Sequence, residues 1–186
     1  MSGSAGMRAC MEKALRDAGI TANTSPTPSS RSQSDASASI ANCSPKAGRP
    51  EAVADACTEA LKSDLSSKDR AVLLTTRGLA YFNQRWDRRD ALALAIADAS
   101  HAIQLDDGLA DAYALRAVAY LYSGRLEESL SDCNAAINLD PRDAQVYSLR
   151  GNVERSLGTK RHSPELQQAS ERDFAAAKQI EPSVSQ

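Results

Sequence analysis

Residues 110–143 read ADAYALRAVAYLYSGRLEESLSDCNAAINLDPRD, and the pattern of this stretch decides the fold of the chain. Its apolar residues recur in both halves at the three- and four-residue spacing of one face of an α-helix. Gly124 separates the two halves as a helix-ending glycine does, and Pro141 follows the second half. The stretch therefore predicts two consecutive helices joined by a short connection, which pack as an antiparallel hairpin.

Elements of this stretch recur before and after it at matched distances. An arginine, an aspartate and a closing alanine appear in the same order three times. Arg116 lies 39 residues after Arg77 and 34 residues before Arg150. A period in this range is the signature of a helical repeat array. Because such arrays stack their repeats into extended binding surfaces, the sequence predicts a binding protein.

Helical spacing, together with start and stop signals, predicts seven helices after residue 49. The predicted ranges are 50–63, 69–84, 88–104, 109–122, 126–138, 143–156 and 164–180. Gly158 is expected to end the sixth helix, and Ser163-Pro164-Glu165 is expected to open the seventh with a capping residue, a proline and an acid. The chain is therefore predicted to be all-α.

Residues 1–49 differ in character from the rest of the chain. A short helix is predicted at about 7–18, and residues 21–46 contain fourteen Ser, Thr or Pro residues. A segment this polar buries too little apolar surface to offset the entropy of ordering, so we predict disorder there and in the tail 183–186. Phosphorylation, O-glycosylation or export signalling is the functional alternative for the Ser-rich segment.

With these repeats the chain resembles a tetratricopeptide repeat protein of the bacterial type, whose repeats begin Arg-Gly and end Ala-Ile-x-Leu-Asp-Pro. Residues 110–143 match the repeat over all 34 positions. The matching residues are Tyr113, Tyr120, Gly124, Ala136, Leu139 and Pro141. The resemblance implies a right-handed α-solenoid of antiparallel helix pairs over residues 50–182, made of a capping helix at 50–63 and repeats at about 71–109, 110–143 and 144–182.

The first and third repeats depart from the family pattern. They carry five and seven extra residues, at about 86–94 and 159–168, and the sequence leaves open whether these residues extend helices or form loops. Arg85 stands at the usual turn glycine, and Glu154 stands where a tyrosine is expected. Degenerate flanking repeats are typical of the caps of such an array.

The recurring arginine and aspartate have a structural explanation. Their separations are 21, 16 and 23 residues, and subtracting the two insertions leaves 16 in every repeat. We therefore predict that each guanidinium pairs with a carboxylate across the two helices of its repeat and sets their register. The predicted pairs are Arg77–Asp98, Arg116–Asp132 and Arg150–Asp173. Contacts to a substrate or a phosphate are the alternative role for these residues.

Composition and motifs do not indicate catalysis. A net charge of −2 without a basic stripe argues against nucleic-acid binding, and no stretch approaches the roughly 20 apolar residues of a membrane span. The four cysteines and two histidines lack the spacing of zinc ligands, and no nucleophile or phosphate-loop motif is present. We predict neither enzymatic activity nor a cofactor.

Cys43 and Cys57 are placed as in exported bacterial members of the family, which implies a disulfide between them. Such a bridge closes a loop of about 15 residues and contributes on the order of 3 kcal/mol in the chain-entropy model. Two free thiols in a reducing cytosol are the alternative. The expected compartment is cytoplasmic if Met1 is native, and periplasmic or secreted if a signal has been removed.

In tetratricopeptide repeats the first helix of each pair lines a concave groove, and the matching positions of this chain form the predicted binding site. These positions are Leu79, Phe82, Asn83, Asp111, Ala114, Val118, Leu121, Tyr122, Ser148, Asn152 and Arg155. Family members that grip a terminal carboxylate use Lys, Arg and Asn here, whereas this set has one arginine, two asparagines, no lysine and a central aspartate. The expected partner is therefore a peptide or protein segment with apolar anchors.

The sequence thus predicts a non-catalytic adaptor or scaffold for protein–protein interaction. A structural subunit that self-associates through the groove or the C-terminal end is one alternative. A secreted effector whose Ser-rich N-terminus is the export signal is another. The apolar positions of the groove could also be covered by the N-terminal tail or the first helix.

Overall fold

The computed structural model describes residues 43–44 and 48–181 of the 186-residue chain. The predictions made for residues 1–42, 45–47 and 182–186, which include the short N-terminal helix and the disordered segments, lie outside the described residues. Within the described part there are seven helices and no strand. They are α1 (Pro50–Ala60), α2 (Ser67–Asn83), α3 (Ala91–Leu105), α4 (Ala110–Tyr122), α5 (Leu126–Leu139), α6 (Ala144–Arg161) and α7 (Pro164–Ile180).

Each helix packs on the next one along the chain, and the pairs α2–α3, α4–α5 and α6–α7 make the most extensive contacts. Helix α1 packs on α2, and the first helices of successive pairs, α2, α4 and α6, also contact one another. Contacts that stay between neighbours are the hallmark of a solenoid. The predicted all-α repeat solenoid is confirmed.

Side-chain caps begin three of the helices. The Ser66 hydroxyl accepts a hydrogen bond from the backbone N–H of Asp69 at 3.1 Å, and Asp143 accepts from two N–H groups at the start of α6. Ser163 caps α7 by accepting from the N–H of Leu166, with Pro164 in the first turn. These bonds satisfy N–H groups that have no partner inside the helix, so local chemistry sets where α2, α6 and α7 begin.

The expectation that Gly158 ends the sixth helix is wrong. Helix α6 continues to Arg161, and His162 ends it in the left-handed conformation at φ 52° and ψ 40°. Gly158 lies buried in the helix, where an added Cβ would come within 3.2 Å of Gln167 and of the Ser163 carbonyl oxygen. The glycine therefore permits close packing of α6 on α7 rather than a chain reversal.

The two insertions have different structural outcomes. The five extra residues of the first repeat lie in the connection 84–90 between α2 and α3, so α3 begins at Ala91 rather than at 88. The seven extra residues of the third repeat make α6 five residues longer than α4 and α7 three residues longer than α5, with a connection one residue shorter. Helix α1 ends at Ala60, three residues earlier than predicted.

The core between the helices is built largely from small side chains. Ala95, Ala99 and Ala102 of α3 are fully buried, as are Cys133 and Ala136 of α5. Small residues let helix axes approach closely, and larger side chains from the next helix then fill the remaining space. This packing leaves one face of α2, α4 and α6 open, and that face carries the candidate site.

Candidate functional site

Each of the three repeats has one bidentate ion pair, which connects its two helices. Arg116 donates from Nε and Nη2 to the two carboxylate oxygens of Asp132, at 2.7 and 2.8 Å. Arg77 makes the same two bonds to Asp98 at 2.8 and 2.7 Å. Arg150 makes them to Asp173 at 2.6 and 2.7 Å. Because parallel N–H···O bonds require one relative orientation, each pair holds its two helices in register.

The remaining guanidinium nitrogen of each arginine reaches the helix before its own repeat, which the sequence analysis did not anticipate. Arg116 Nη1 donates to the Ser100 hydroxyl at 3.2 Å, and Arg150 Nη1 donates to Asn134 Oδ1 at 2.8 Å. Arg77 Nη1 donates to the Thr58 hydroxyl of α1 at 3.3 Å. Each arginine thus connects three helices. In the sequence this third contact is indicated by a polar residue 16 positions before the arginine, which is Ser100 for Arg116 and Asn134 for Arg150.

The ion pairs also shift the pKa of these arginines. The hydrogen bonds to Asp98, Asp132 and Asp173 raise the pKa of their arginine partners above the ordinary value, and burial opposes the rise. The guanidinium groups therefore stay charged at any pH at which the protein folds. Both partners of each pair thus find their hydrogen bonds within the protein, with at most 21% of either side chain exposed.

The open face of α2, α4 and α6 forms a cavity of about 460 Å³. Four predicted groove residues, Leu79, Asp111, Ala114 and Val118, lie together in its wall. Other lining residues were not predicted from the sequence, among which are Thr76, Leu115, Asp143, Val146 and Leu149. The floor is apolar, and Asp111 and Asp143 place two carboxylates beside it. We call this surface the groove.

A second cavity, of about 430 Å³, lies at the C-terminal ends of the helices that line the groove. It joins Leu121 and Tyr122 of α4 to Asn152, Arg155 and Ser156 of α6. Four of these five were predicted groove residues, so the predicted strip is divided between two cavities. Tyr122 is 47% exposed although it is a large aromatic residue, which is common at binding surfaces.

Three predicted groove residues occupy other positions. Phe82 is corrected to a core residue, because it is only 8% exposed and packs among the alanines of α3 and α4. Asn83 is exposed at the edge of a small cavity that Gly48 and Pro50 also line. Ser148 lines neither large cavity, and its carbonyl oxygen accepts a hydrogen bond from Asn152 Nδ2 at 3.0 Å.

The guanidinium group of Arg85 contacts three aromatic rings beside the second cavity. Its guanidinium carbon lies 4.3 Å from the ring centroid of Phe82, 4.7 Å from that of Tyr122 and 5.0 Å from that of Trp86. Trp86 and Tyr122 meet edge to face at 6.1 Å, and Trp86 is 75% exposed. In the sequence Arg85 stands out only as a departure from the usual turn glycine. The insertion that follows it supplies Trp86.

Cys43 and Cys57 are joined by a disulfide in the structure. Cys57 is fully buried and Cys43 is 7% exposed, and both pack in the core between α1 and α2. The bridge ties the segment before α1 to the array. Cys133 is a free thiol, and burial raises its pKa to about 12, so it is unreactive at neutral pH.

Glu154 is a buried carboxyl group in the third repeat. One carboxylate oxygen, Oε2, is buried without a hydrogen-bond partner, and the residue is only 9% exposed. Burial raises the pKa of Glu154 above its usual value, and the nearby Asp173 raises it further. Glu154 stands at the position where the repeat pattern has a tyrosine.

Within residues 43–44 and 48–181, no three His, Cys, Asp or Glu side chains are grouped in a way that could hold a metal ion. None of the described helices combines the length and apolar character that a membrane crossing needs.

Solved structures of tetratricopeptide repeat proteins are similar to this one. MamA matches with a TM-score of 0.62 at 18% identity over 92% of this chain and 84% of its own. YrrB, described as a TPR protein with an unusual peptide-binding site, matches with a TM-score of 0.61 at 16% identity over 96% and 84%. The second TPR of Spaghetti (RPAP3), bound to the HSP90 peptide SRMEEVD, matches with a TM-score of 0.53 at 28% identity over 66% and 99%.

No protein-family model matches the sequence, and no curated protein matches it. The similarity to solved structures is therefore a similarity of fold. It places the open face of α2, α4 and α6 in an architecture whose solved members include peptide complexes.

Proposed function

Because the described helices have the tetratricopeptide repeat fold, we propose that this protein is a non-catalytic adaptor that holds a peptide or protein segment in the groove. One observation carries the proposal. Three consecutive first helices contribute Leu79, Val118 and Leu149, each half-buried, to the wall of the same open cavity. Apolar side chains that line a cleft together are typical of a binding site, since isolated exposed ones need no explanation.

The shape of the groove favours a segment of chain over a small molecule. The cavity crosses three helices and is open along its length, with apolar floor residues contributed by each helix in turn. An amphipathic helix or an extended peptide can place successive apolar anchors on such a floor. The peptide complex of the second TPR of RPAP3 and the peptide-binding site of YrrB support this mode of use.

The charges of the groove disfavour a terminal carboxylate as the main anchor. Asp111 and Asp143 stand beside the floor, whereas the lining residues of this cavity include no lysine or arginine. Placing a carboxylate beside two others without a compensating cation costs binding energy. The adaptor is thus proposed to select apolar anchors rather than to act as a carboxylate clamp.

The disulfide supports the proposal that the protein functions in an oxidising compartment. Disulfides persist outside the cytosol and are reduced within it, and the Cys43–Cys57 bridge is buried in the core of α1 and α2. Thiol labelling of the protein isolated from its native cells tests this part of the proposal. Labelling of Cys43 and Cys57 without prior reduction would contradict it.

The proposed function is tested by Val118→Glu in the full chain, with cross-linking and affinity capture from the native cells. Val118 lines the groove and is half-buried at the edge of the core, so a charge there should remove most partner capture and lower the thermal midpoint far less than Ala136→Glu does. One central anchor can carry roughly 2 kcal/mol or more of binding energy. Light scattering on both proteins identifies a second copy of the chain if that is the captured partner.

Two controls frame this experiment. Leu139→Glu changes a residue that is 44% exposed at the end of α5, outside both cavities, and should leave capture unchanged. Ala136→Glu places a charge at a fully buried position and should unfold the repeat. If Val118→Glu destabilised the protein as much as Ala136→Glu, Val118 would be a core residue and the groove assignment would be wrong.

A further inference from the structure

A basic and aromatic surface borders the second cavity, and we call it the Trp86 edge. It consists of Arg85, Trp86, Tyr122 and Arg155. Tyr122 connects its two parts, because its ring contacts Arg85 and Trp86 on one side and lines the second cavity with Arg155 on the other. Trp, Tyr and Arg are the residues that most often dominate the energy of protein interfaces.

Neither arginine of the Trp86 edge has a carboxylate partner among the described residues. Arg85 Nη1 donates to the Phe82 carbonyl oxygen at 3.2 Å, and its Nε is buried without a partner. Arg155 Nη2 donates to Asn152 Oδ1 at 2.6 Å, and its guanidinium is exposed. Arg77, Arg116 and Arg150 differ from these two, since each of them forms an ion pair with an aspartate.

Charge is distributed unequally between the two cavities. The groove has two carboxylates, Asp111 and Asp143, and the second cavity has Arg155 with Arg85 nearby. A bound segment that carried acidic residues would be repelled at the first and attracted at the second. The charge difference therefore favours one orientation of a bound segment, with its acidic residues at the second cavity and its uncharged residues in the groove.

We propose that the Trp86 edge binds an Asp or Glu side chain of the partner segment, next to an apolar side chain that packs on Trp86 and Tyr122. This inference rests on the proposed function, because the same segment places its apolar anchors in the groove. A guanidinium that already stacks on aromatic rings is held in one orientation, so it pairs with a carboxylate at little entropic cost. The rings exclude water from that pair and strengthen it.

A protein segment fits this surface better than a nucleic acid does. Residues 50–186 carry a net charge of −5, with 16 Lys and Arg against 21 Asp and Glu. A polyanion that extended beyond the two arginines would meet the acidic side chains of the array, whereas one or two carboxylates would not.

The test begins with a random dodecamer peptide library displayed on phage and selected on the full-length protein. We expect the enriched peptides to combine apolar anchors with Asp or Glu near one end. A synthetic peptide of the enriched sequence is then titrated against the protein. Trp86 is the one tryptophan of the chain, so a blue shift of its emission reports contact at this edge directly.

Matched variants separate the two ends of the binding surface. Arg155→Gln removes an exposed charge together with its contact to the Phe174 ring, and Arg85→Gln removes the charge that lies over the rings of Phe82, Trp86 and Tyr122. Each substitution should weaken peptide binding at least about tenfold. Asp111→Asn removes a repelling negative charge from the groove and should raise affinity for the acidic peptide. Arg172→Gln removes the charge of an exposed residue that lines neither cavity and should leave affinity unchanged. Replacing the Asp or Glu of the peptide by Gln or Asn should cancel the effect of Arg155→Gln.

Each result decides the proposal. Enriched peptides without acidic residues, or affinity within about twofold of wild type for Arg155→Gln, would overturn the Trp86 edge but leave the groove intact. A labelled single-stranded oligonucleotide that bound more tightly than the peptide would also overturn it. A library that enriched nothing would contradict both this inference and the proposed function.

Discussion

The pair Arg116–Asp132 offers the most direct quantitative test of how the repeats are held together. In the structure the Asp132 side chain is 8% exposed and that of Arg116 is 21% exposed. Arg116→Ala removes both bonds to the carboxylate and the bond to Ser100, and it leaves a nearly buried negative charge. Asp132→Ala leaves a guanidinium that still reaches water and the Ser100 hydroxyl. The two single substitutions are therefore expected to differ.

The magnitude follows from exposure. Breaking a buried ion pair costs roughly 3–5 kcal/mol, and exposed pairs contribute roughly 0.2–1 kcal/mol. With one partner nearly buried and the other one-fifth exposed, we expect Arg116→Ala to cost about 3 kcal/mol and Asp132→Ala about 2 kcal/mol. The double variant should cost less than the sum, with a coupling free energy of about 2 kcal/mol.

The assay is urea unfolding of the wild type, the two single variants and the double variant, followed by far-UV circular dichroism. The slope against urea must stay constant, since a changed slope in a repeat array signals partial unfolding. Arg88→Ala is the matched control. Arg88 also makes two bonds to one carboxylate, that of Asp90, but this pair is exposed and should leave the midpoint unchanged. A coupling near zero would refute the reasoning and give the shared spacing another cause.

Glu154→Gln should stabilise the protein at neutral pH but not at acidic pH. Burial raises the pKa of Glu154, so the folded state binds this proton more tightly than the unfolded state does. The resulting stabilisation of the folded state is fully present below the ordinary pKa of 4.5 and is lost as pH rises through the pKa of the folded state. Thermal midpoints of both proteins at pH 4 and pH 8 test this, and a gap that did not widen with pH would contradict it. Combining Cys43→Ser with Cys57→Ala should lower the free energy of unfolding by about 3 kcal/mol, because the open loop regains its entropy. Chemical unfolding of the two proteins under oxidising conditions measures the loss, and a difference under about 1 kcal/mol would show that loop closure contributes little.

Much of the fold could be predicted from the sequence because the relevant signals are local. The cap at Ser163 and the helical spacing of apolar residues depend on neighbours within one or two turns, and the 34-residue spacing between Arg116 and Arg150 repeats one pair of consecutive helices. The expectation that Arg116 meets Asp132 also needs only two consecutive helices, whose register follows from the length of the turn between them. Sequence periodicity by itself therefore determined the all-α class, the repeat and the order of the helices.

Only the tertiary structure decided which side chains of the first helices remain open. Phe82 and Tyr122 both stood in the predicted groove, yet packing against α3 and α4 buries the first and leaves the second 47% exposed. Gly158 carried the local signal of a helix end, but close approach to α7 keeps it inside α6. The stacking of Arg85 between Trp86 and Tyr122 joins a loop to the next repeat. Such contacts depend on residues distant along the chain, whose meeting is set by the packing of whole helices and leaves no periodic trace in the sequence.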